Sequence, residues 1–437
     1  MREIAKKAGD TVLGTKKSEK TVTDTKKEVD IVLDIRGLSY EINQKTILEN
    51  IDLKVTKGEF VGLIGPNGAG KTTLLKCINR INEAQGTIEI KGRNIKSLSD
   101  KKIALETALM HQDISVSFPF PALDIVMMGR YPHLKRMQAE RKEDYRIARE
   151  NMEYTDTLKF EKTPITQISG GERQRVLFAK VLTQQTDILL LDEPTASLDI
   201  TYQEQIFKYS RELCKSGKTI IAAVHDLKIA SRYCSRLVLI KEGRIISDGA
   251  PEEVLTSDNI LNAYGVNALV YRNSITGLLD FYISERKESG NKKRKVHIVG
   301  GGGSASGVMR FLFENGYKMS AGVFSYGDTD AKCAEVFGVD YLVSKPLCDI
   351  SDNALADNIK KIQGADITIL CNMPFGSQNL KNLEAARYAE KLVIIEDDLP
   401  ETRDFTEGKA LEIYRKLKEK AVVITSARLH EVASMLE

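Results

Sequence analysis

The stretch Gly65-Pro-Asn-Gly-Ala-Gly-Lys-Thr-Thr73 constrains this chain more than any other feature. It fits G-x-x-x-x-G-K-[ST], follows the apolar run FVGLIG and opens the helix-like run KTTLLKCIN. Such a turn needs a strand feeding it and a helix leaving it, so the surrounding chain is expected to be α/β. Glycines let backbone N–H groups wrap a phosphate, and the helix start adds its positive dipole end. Gly65, Pro66, Asn67, Gly68, Ala69 and Gly70 are therefore the expected phosphate cradle. Lys71 brings charge to the outer phosphates, Thr72 a hydroxyl to Mg²⁺, and Thr73 a further phosphate contact.

A second constellation strengthens this reading. Ile188-Leu-Leu-Leu-Asp192-Glu193 reads as a buried strand ending in two carboxylates. In a parallel sheet the strand's C-terminal end faces the ligand crevice. Asp192 is placed to hold Mg²⁺ through water, and Glu193 to accept a proton from an attacking water.

The organisation along the chain follows. With 437 residues, two or three domains are expected. Residues 1–30 are rich in Lys, Thr and Glu and read as a flexible tail. Residues 31–285 alternate β-rich runs (IVLDI, FVGLIG, TIEI, ILLLD, TIIAAV, LVLI) with helical stretches. Within them, about 112–186 has helical periodicity and no convincing strand, as a helical subdomain would. Residues 286–295 form a polar, basic linker. Residues 296–437 restart the α/β rhythm with VHIV, SAGVF, DYLV, DITIL, KLVII and AVVIT, which suggests a doubly wound parallel sheet.

Composition excludes some classes. A net charge of +3 gives no support to nucleic-acid binding. The opening MREIAKKAGD lacks the apolar middle of a secretory signal, and no run of ~20 apolar residues suits a membrane span. Six cysteines, at 77, 214, 234, 333, 348 and 371, show no C-x-x-C spacing, so free thiols are expected rather than a zinc site or disulfides.

Five further motifs give the chain its family resemblance. Ile168-Ser169-Gly170-Gly171-Glu172 resembles the signature motif of ABC ATPases, with Ile where the family usually has Leu. Gln112 stands at the family's Q-loop, Ser197-Leu198-Asp199 at its D-loop and His225 at its switch histidine. Tyr40 stands where the family stacks an aromatic on adenine. The resemblance covers Ile31 to about Tyr271 and implies a P-loop ABC cassette that binds ATP and Mg²⁺. It assigns catalysis to Glu193, His225, Lys71 and Gln112, and metal contacts to Thr72, Gln112 and Asp192. Ser169, Gly170, Gly171 and Asp199 would close the ATP site of a second copy. The implied partners are a homodimeric copy, integral-membrane permease subunits and a substrate-binding protein. The implied location is the cytoplasmic face of the cell membrane. Val126-Met-Met-Gly-Arg-Tyr-Pro-His133, Asp248-Gly-Ala-Pro-Glu-Glu-Val-Leu and Tyr264-Gly265-Val266 look like importers of ferric siderophores, haem and cobalamin. A soluble non-transport ABC ATPase and a nucleotide-dependent sensor are the competing readings.

The C-terminal half carries Gly300-Gly-Gly302-Gly-Ser-Ala305 after VHIV, which satisfies G-x-G-x-x-[G/A]. Gly300, Gly302 and Ala305 are expected to line a small-ligand site in a Rossmann-like domain. The next strand ends in Ser325 rather than an acid, with Asp328 only later, which weakens the case for NAD. Cys371, Asn372, Glu396, Asp397 and Asp398 lie at other expected strand ends, with no convincing acid–base–nucleophile set.

Overall fold

The computed structural model describes residues 30–111, 118–195, 198–273, 275–284, 294–346 and 348–436. The chain opens with β1 (Ile31–Ile42), β2 (Lys45–Thr56), β3 (Phe60–Ile64), α1 (Lys71–Ile78), β4 (Gln85–Ile90), β5 (Arg93–Asn94), α2 (Asp100–Glu106) and β6 (Thr107–Met110). Then come α3 (Ala122–Met127), α4 (Lys142–Tyr154), α5 (Gly170–Thr183), β7 (Ile188–Asp192), α6 (Ile200–Lys215), β8 (Thr219–Ala223), α7 (Leu227–Tyr233), β9 (Arg236–Lys241) and β10 (Arg244–Gly249).

These strands make two sheets. One is antiparallel, in the order β2-β1-β4-β5. The other runs β10-β9-β3-β8-β7-β6 and is parallel from β9 to β6. Every residue of β3, β7 and β8 is buried. That explains their unbroken apolar sequence, because a central parallel strand is covered on both faces. Helix α1 lies between the sheets, with Leu74, Leu75 and Ile78 in a core shared with Leu33, Ile35 and Leu53. Burying a leucine or isoleucine side chain stabilises by about 1.5–3 kcal/mol, so this layer fixes the helix that leaves the Gly65–Gly70 turn.

The described residues between 118 and 187 contain helices and turns and no strand, as their periodicity suggests. The segment Val126–His133 has a packing explanation. A Cβ on Gly129 would lie 2.4 Å from the Lys180 carbonyl oxygen, so glycine lets this turn close on α5. Arg130 is buried beside it, donating to Asp144 (2.9 Å), the Thr183 carbonyl (3.0 Å) and Gln185 (2.8 Å). Strand β6 escaped the sequence reading: TALM is four residues long and follows helix α2 directly.

Helices α8 (Pro251–Val254) and α9 (Ser257–Tyr264) lead into a two-stranded ribbon, β11 (Asn267–Arg272) and β12 (Leu279–Ser284). Alternate residues of β12 face different neighbours, as a strand's period of two allows. Leu279 and Phe281 pack on the core beneath the central sheet. Tyr282 and Ser284 donate to Glu314, at 2.7 and 3.0 Å.

The remainder holds β13 (Lys295–Val299), α10 (Ser306–Glu314), β14 (Lys318–Ser325), α11 (Thr329–Val336), β15 (Asp340–Ser344), α12 (Asp352–Gln363), β16 (Ile367–Leu370), α13 (Leu380–Ala386), β17 (Leu392–Ile395), α14 (Lys409–Lys418), β18 (Val422–Ile424) and α15 (His430–Leu436). All six strand runs read from the sequence are strands. Their order is β15-β14-β13-β16-β17-β18, parallel throughout. This is a doubly wound order whose direction reverses between β13 and β16. Of the expected linker, residues 286–293 lie outside the described residues, and Lys295 opens β13, its amide donating to Asp366 at 2.7 Å.

Candidate functional site

The turn after β3 has the backbone its glycines suggest. Gly65, Gly68 and Gly70 adopt φ of 143°, 78° and 106°, in the region that favours glycine. Gly65 is also crowded: a Cβ there would lie 2.0 Å from the Ile240 carbonyl oxygen. Gly70 lies against Leu48 and Ile47 of β2. Asn67 and Gly68, at the tip, are exposed. Among the described residues no side chain accepts a hydrogen bond from the Asn67, Gly68 or Gly70 amide, so the tip keeps N–H groups for an anion.

Lys71 is 4 % exposed, and its ammonium donates to the carbonyls of Gly65 (2.7 Å) and Pro66 (3.0 Å). Burial lowers its pKa, while Glu193 and Asp192 oppose that shift. The Thr72 hydroxyl donates to Asp192 Oδ1 at 2.7 Å, so helix α1 and strand β7 bring these two oxygens together. Burial raises the Asp192 pKa, and the nearby Glu193 carboxylate adds to the rise. Glu193 sits at φ 48° immediately before Pro194, a costly backbone for a non-glycine residue. In that conformation Glu193 Oε1 meets His225 Nε2 at the end of β8. Lys71, Thr72, Asp192, Glu193 and His225, spread over more than 150 residues of sequence, thus gather at one end of the central sheet.

The other expected residues are distributed more widely. Ser169 caps α5: its hydroxyl accepts from the Glu172 amide and donates to the Glu172 carboxylate, which also accepts from the Ser169 amide at 2.9 Å. Ser169 and Gly170 are exposed. Asp199 caps α6, accepting from the Tyr202 amide at 3.0 Å. Tyr40 is part-buried on β1, opposite Leu48, the residue that backs Gly70. Thr73 lies in the first turn of α1. Gln112 and Ser197 fall outside the described residues.

Two residues near this site carried no role in the sequence reading. His111 follows β6, with its pKa lowered by burial and by Lys180 and Lys76, and raised slightly by Asp192. Tyr264 ends α9 with its hydroxyl beside the Gly65 backbone, and burial pushes its pKa up to about 12. His111 has no linear signal, and the Tyr264-Gly265-Val266 run gives no sign that the Tyr264 hydroxyl comes beside Gly65, since each arrives from a separate element.

The second glycine loop differs. Gly301, Gly302 and Gly303 have φ of 155°, 67° and 87°. The Gly302 amide donates to both oxygens of Asp328, at 3.2 and 3.0 Å. The Ala305 amide donates to both oxygens of Asp330, at 3.1 Å, and the Ser306 hydroxyl joins them at 2.8 Å. Asp330 is fully buried, and burial raises its pKa. The amides of Gly302 and Ala305, expected to meet a ligand, are therefore taken by the chain's own carboxylates. The acids at the other strand ends are engaged too. Glu396 accepts from Tyr414 (2.7 Å) and Lys418 (2.8 Å), and Asp397 from the Ser426 amide (2.8 Å). Cys371 is buried, and all six cysteines are free thiols.

No described helix is long and apolar enough to cross a membrane. Among the described residues, no group of three or more His, Cys, Asp or Glu could hold a metal ion.

Comparisons with known proteins agree with this geometry. Residues 48–196 match the ABC transporter family model, and residues 319–430 match a second one, the MJ0874 family. A cobalamin import ATP-binding protein of Halobacterium salinarum is 37% identical over 340 residues, 77% of this chain and 85% of that protein. A ferric enterobactin transport ATP-binding protein of Escherichia coli is 35% identical over 247 residues, 56% of this chain and 91% of that protein. A solved chain described as a metal-chelate type ABC transporter in an inward-facing conformation superposes with a TM-score of 0.52. It has 22% identity and covers 60% of this chain and 99% of that one, and it bears on the fold alone. With the phosphate turn, the paired carboxylates and the histidine at one sheet end, and a relative matched along most of both chains, this chain belongs to the ATP-binding proteins of the ABC transporter family.

Proposed function

We propose that this chain hydrolyses ATP to power the uptake of a metal chelate, cobalamin first and a ferric siderophore second. The carrying observation is the convergence of Lys71, the Thr72–Asp192 pair and the Glu193–His225 pair beyond the central sheet. The cobalamin-named relative comes first because its alignment is too long to fit within residues 1–284, so it enters the C-terminal half as well.

The residues suit a nucleotide with Mg²⁺. Mg²⁺ favours oxygen ligands and binds through one or two carboxylates plus phosphate oxygens, which suits Thr72 and Asp192. Bound MgATP supplies the electrophilic terminal phosphate. Lys71 then turns from its own carbonyls to the outer phosphate oxygens. Glu193 accepts the proton of the attacking water, and His225 holds Glu193 and the terminal phosphate in position. Gln112 would supply a further oxygen to Mg²⁺ and sense the permease. Ser169, Gly170, Gly171 and Asp199 serve a second copy's nucleotide, because they stand on other helices and Ser169 and Gly170 are open to solvent. Closed cyclic pairing is the simplest arrangement that uses each copy's two halves. Permease subunits and a substrate-binding protein complete the system at the inner membrane face. Phe118 and Phe120, 68 % and 45 % exposed beside the Gln112 loop, are the proposed permease contacts.

The test is uptake of labelled cobalamin and of a labelled ferric siderophore by cells carrying this chain and its cognate permease. Phe118→Asp with Phe120→Asp should abolish uptake of one of them while the purified chain still hydrolyses ATP. Uptake of neither by the unaltered system would end the metal-chelate reading. Loss of ATPase activity in the variant would mean that the two rings serve packing.

A further inference from the structure

A crevice of about 930 Å³ opens at the C-terminal ends of the parallel strands in the C-terminal sheet. Its size suits a small organic ligand. Ser304, from the loop after β13, and Asn372, from the turn after β16, both line it. β13 and β16 are paired neighbours, and the winding reverses between them, where doubly wound folds place ligands. Val308 and Phe311 of α10 give it an apolar wall, and Leu429 faces them.

The polar groups in the crevice are unequally supplied with hydrogen-bond partners. Glu314 accepts from Tyr282 and Ser284, and Asp397 from the Ser426 amide. Arg310 and His430 also line the crevice, are exposed, and form no ion pair among the described residues. The neighbouring glycine loop offers no substitute anion site, since Asp328 and Asp330 occupy its amides. Glu314 and Asp397 thus already have hydrogen-bond donors, whereas the Arg310 guanidinium has no hydrogen-bond or ion-pair partner among the described residues and is open to an anion. A guanidinium recognises planar carboxylate or tetrahedral phosphate by paired charge-assisted hydrogen bonds.

One wall belongs to the other half of the chain. Tyr282 lies on β12, and on the same strand Asp280 pairs with Lys228 of α7 at 2.6 Å. Helix α7 is capped by Asp226, the residue after His225. We propose that this crevice binds a small organic molecule bearing a carboxylate or phosphate group, and that ribbon β11–β12 carries its occupancy to the His225 segment. The second clause rests on the reading of His225 as part of the ATP site; the first does not. Such coupling requires the ligand to prefer one arrangement of the ribbon.

The test uses the full chain with saturating ADP throughout, so that the phosphate turn after β3 cannot compete for the probes. Calorimetric titrations with malate and citrate, and separately with inorganic phosphate and 3-phosphoglycerate, distinguish the two anion chemistries. One saturable site per chain is expected for at least one probe. Arg310→Gln should weaken it about tenfold or more, and His430→Gln more mildly. No saturable binding by any probe, or binding indifferent to both variants, overturns the site. For the second clause, hydrogen exchange of residues 225–233 is followed with and without the bound probe. A change of at least twofold, lost in Asp280→Asn, supports it; unchanged exchange in the unaltered chain overturns it. Neither readout uses ATP turnover or transport, so failure here is separable from failure of the proposed function.

Discussion

The glycine loop after β3 and the glycine loop after β13 each leave a buried parallel strand and enter a helix. In the first, Gly68 is exposed and its amide meets no side chain, while Lys71 and two carboxylates converge nearby. In the second, Asp328 from the β14–α11 turn and Asp330 from the first turn of α11 reach back and take the amides themselves. Glycine supplies the same backbone freedom in both. What differs is whether the carboxylates that the fold delivers accept from the loop's own amides, and that decides between an anion site and a self-capped turn.

The largest expected effect tests the first loop's chemistry. Glu193→Gln should lower ATP turnover by about 10²–10⁴-fold with nucleotide binding retained, whereas Lys71→Ala should weaken binding itself. Turnover and nucleotide affinity measured together would distinguish them, and near-normal turnover in Glu193→Gln would place the proton acceptor elsewhere. Gly65→Ala should come next. Its Cβ would meet the Ile240 carbonyl at 2.0 Å in a glycine-type conformation. A cost above about 4 kcal/mol is expected, read as loss of the cassette's denaturant-resistant transition.

Asp330→Ala probes the second loop. It strands the buried Ala305 amide and should cost about 3 kcal/mol, without creating a second ATP site; two nucleotides per chain would break the comparison. His297, on the strand that feeds this loop, gives a pH-dependent effect. Burial pushes its pKa down to about 4 from 6.5. The folded form therefore favours neutral imidazole, and its stability holds above the unfolded pKa. It should fall as pH drops from about 6.5 towards 4, by up to roughly 3 kcal/mol. Hydrogen exchange of β13 amides across that range would show it, and His297→Gln should flatten the slope. The smallest effect is Gly302→Ala. At φ 67°, with Pro374 no nearer than 3.5 Å, it should cost about 1–2 kcal/mol of strain alone.

The sequence revealed the chemistry of the first loop and concealed that of the second, for a physical reason. Gly65–Thr73 and Asp192-Glu193 are contiguous, so composition and order suffice to identify them. Asp328 reaches Gly302 across 26 residues, and nothing local marks a carboxylate that folds back onto an amide. Buried parallel strands such as ITIL and LVII were legible because both faces need apolar cover. TALM was not, because it follows helix α2 with no intervening turn residue, and its Ala, Leu and Met continue a helix-favouring composition. Transported substrate was least legible: Gly129 and Arg130, the heart of the segment that pointed to chelate importers, are accounted for by packing against α5.

The ribbon β11–β12 has a consequence for how the molecule melts. Two strands alone are marginal in water, and this pair is held by Leu279 and Phe281 on one side and by Tyr282 and Ser284 on the other. Its order therefore depends on both neighbours at once. A chain cut after Ser284 would keep the ribbon's cassette contacts and lose its anchorage on Glu314. Thermal denaturation of the whole chain should then be one coupled transition for the ribbon and α10, rather than two independent meltings joined by a tether.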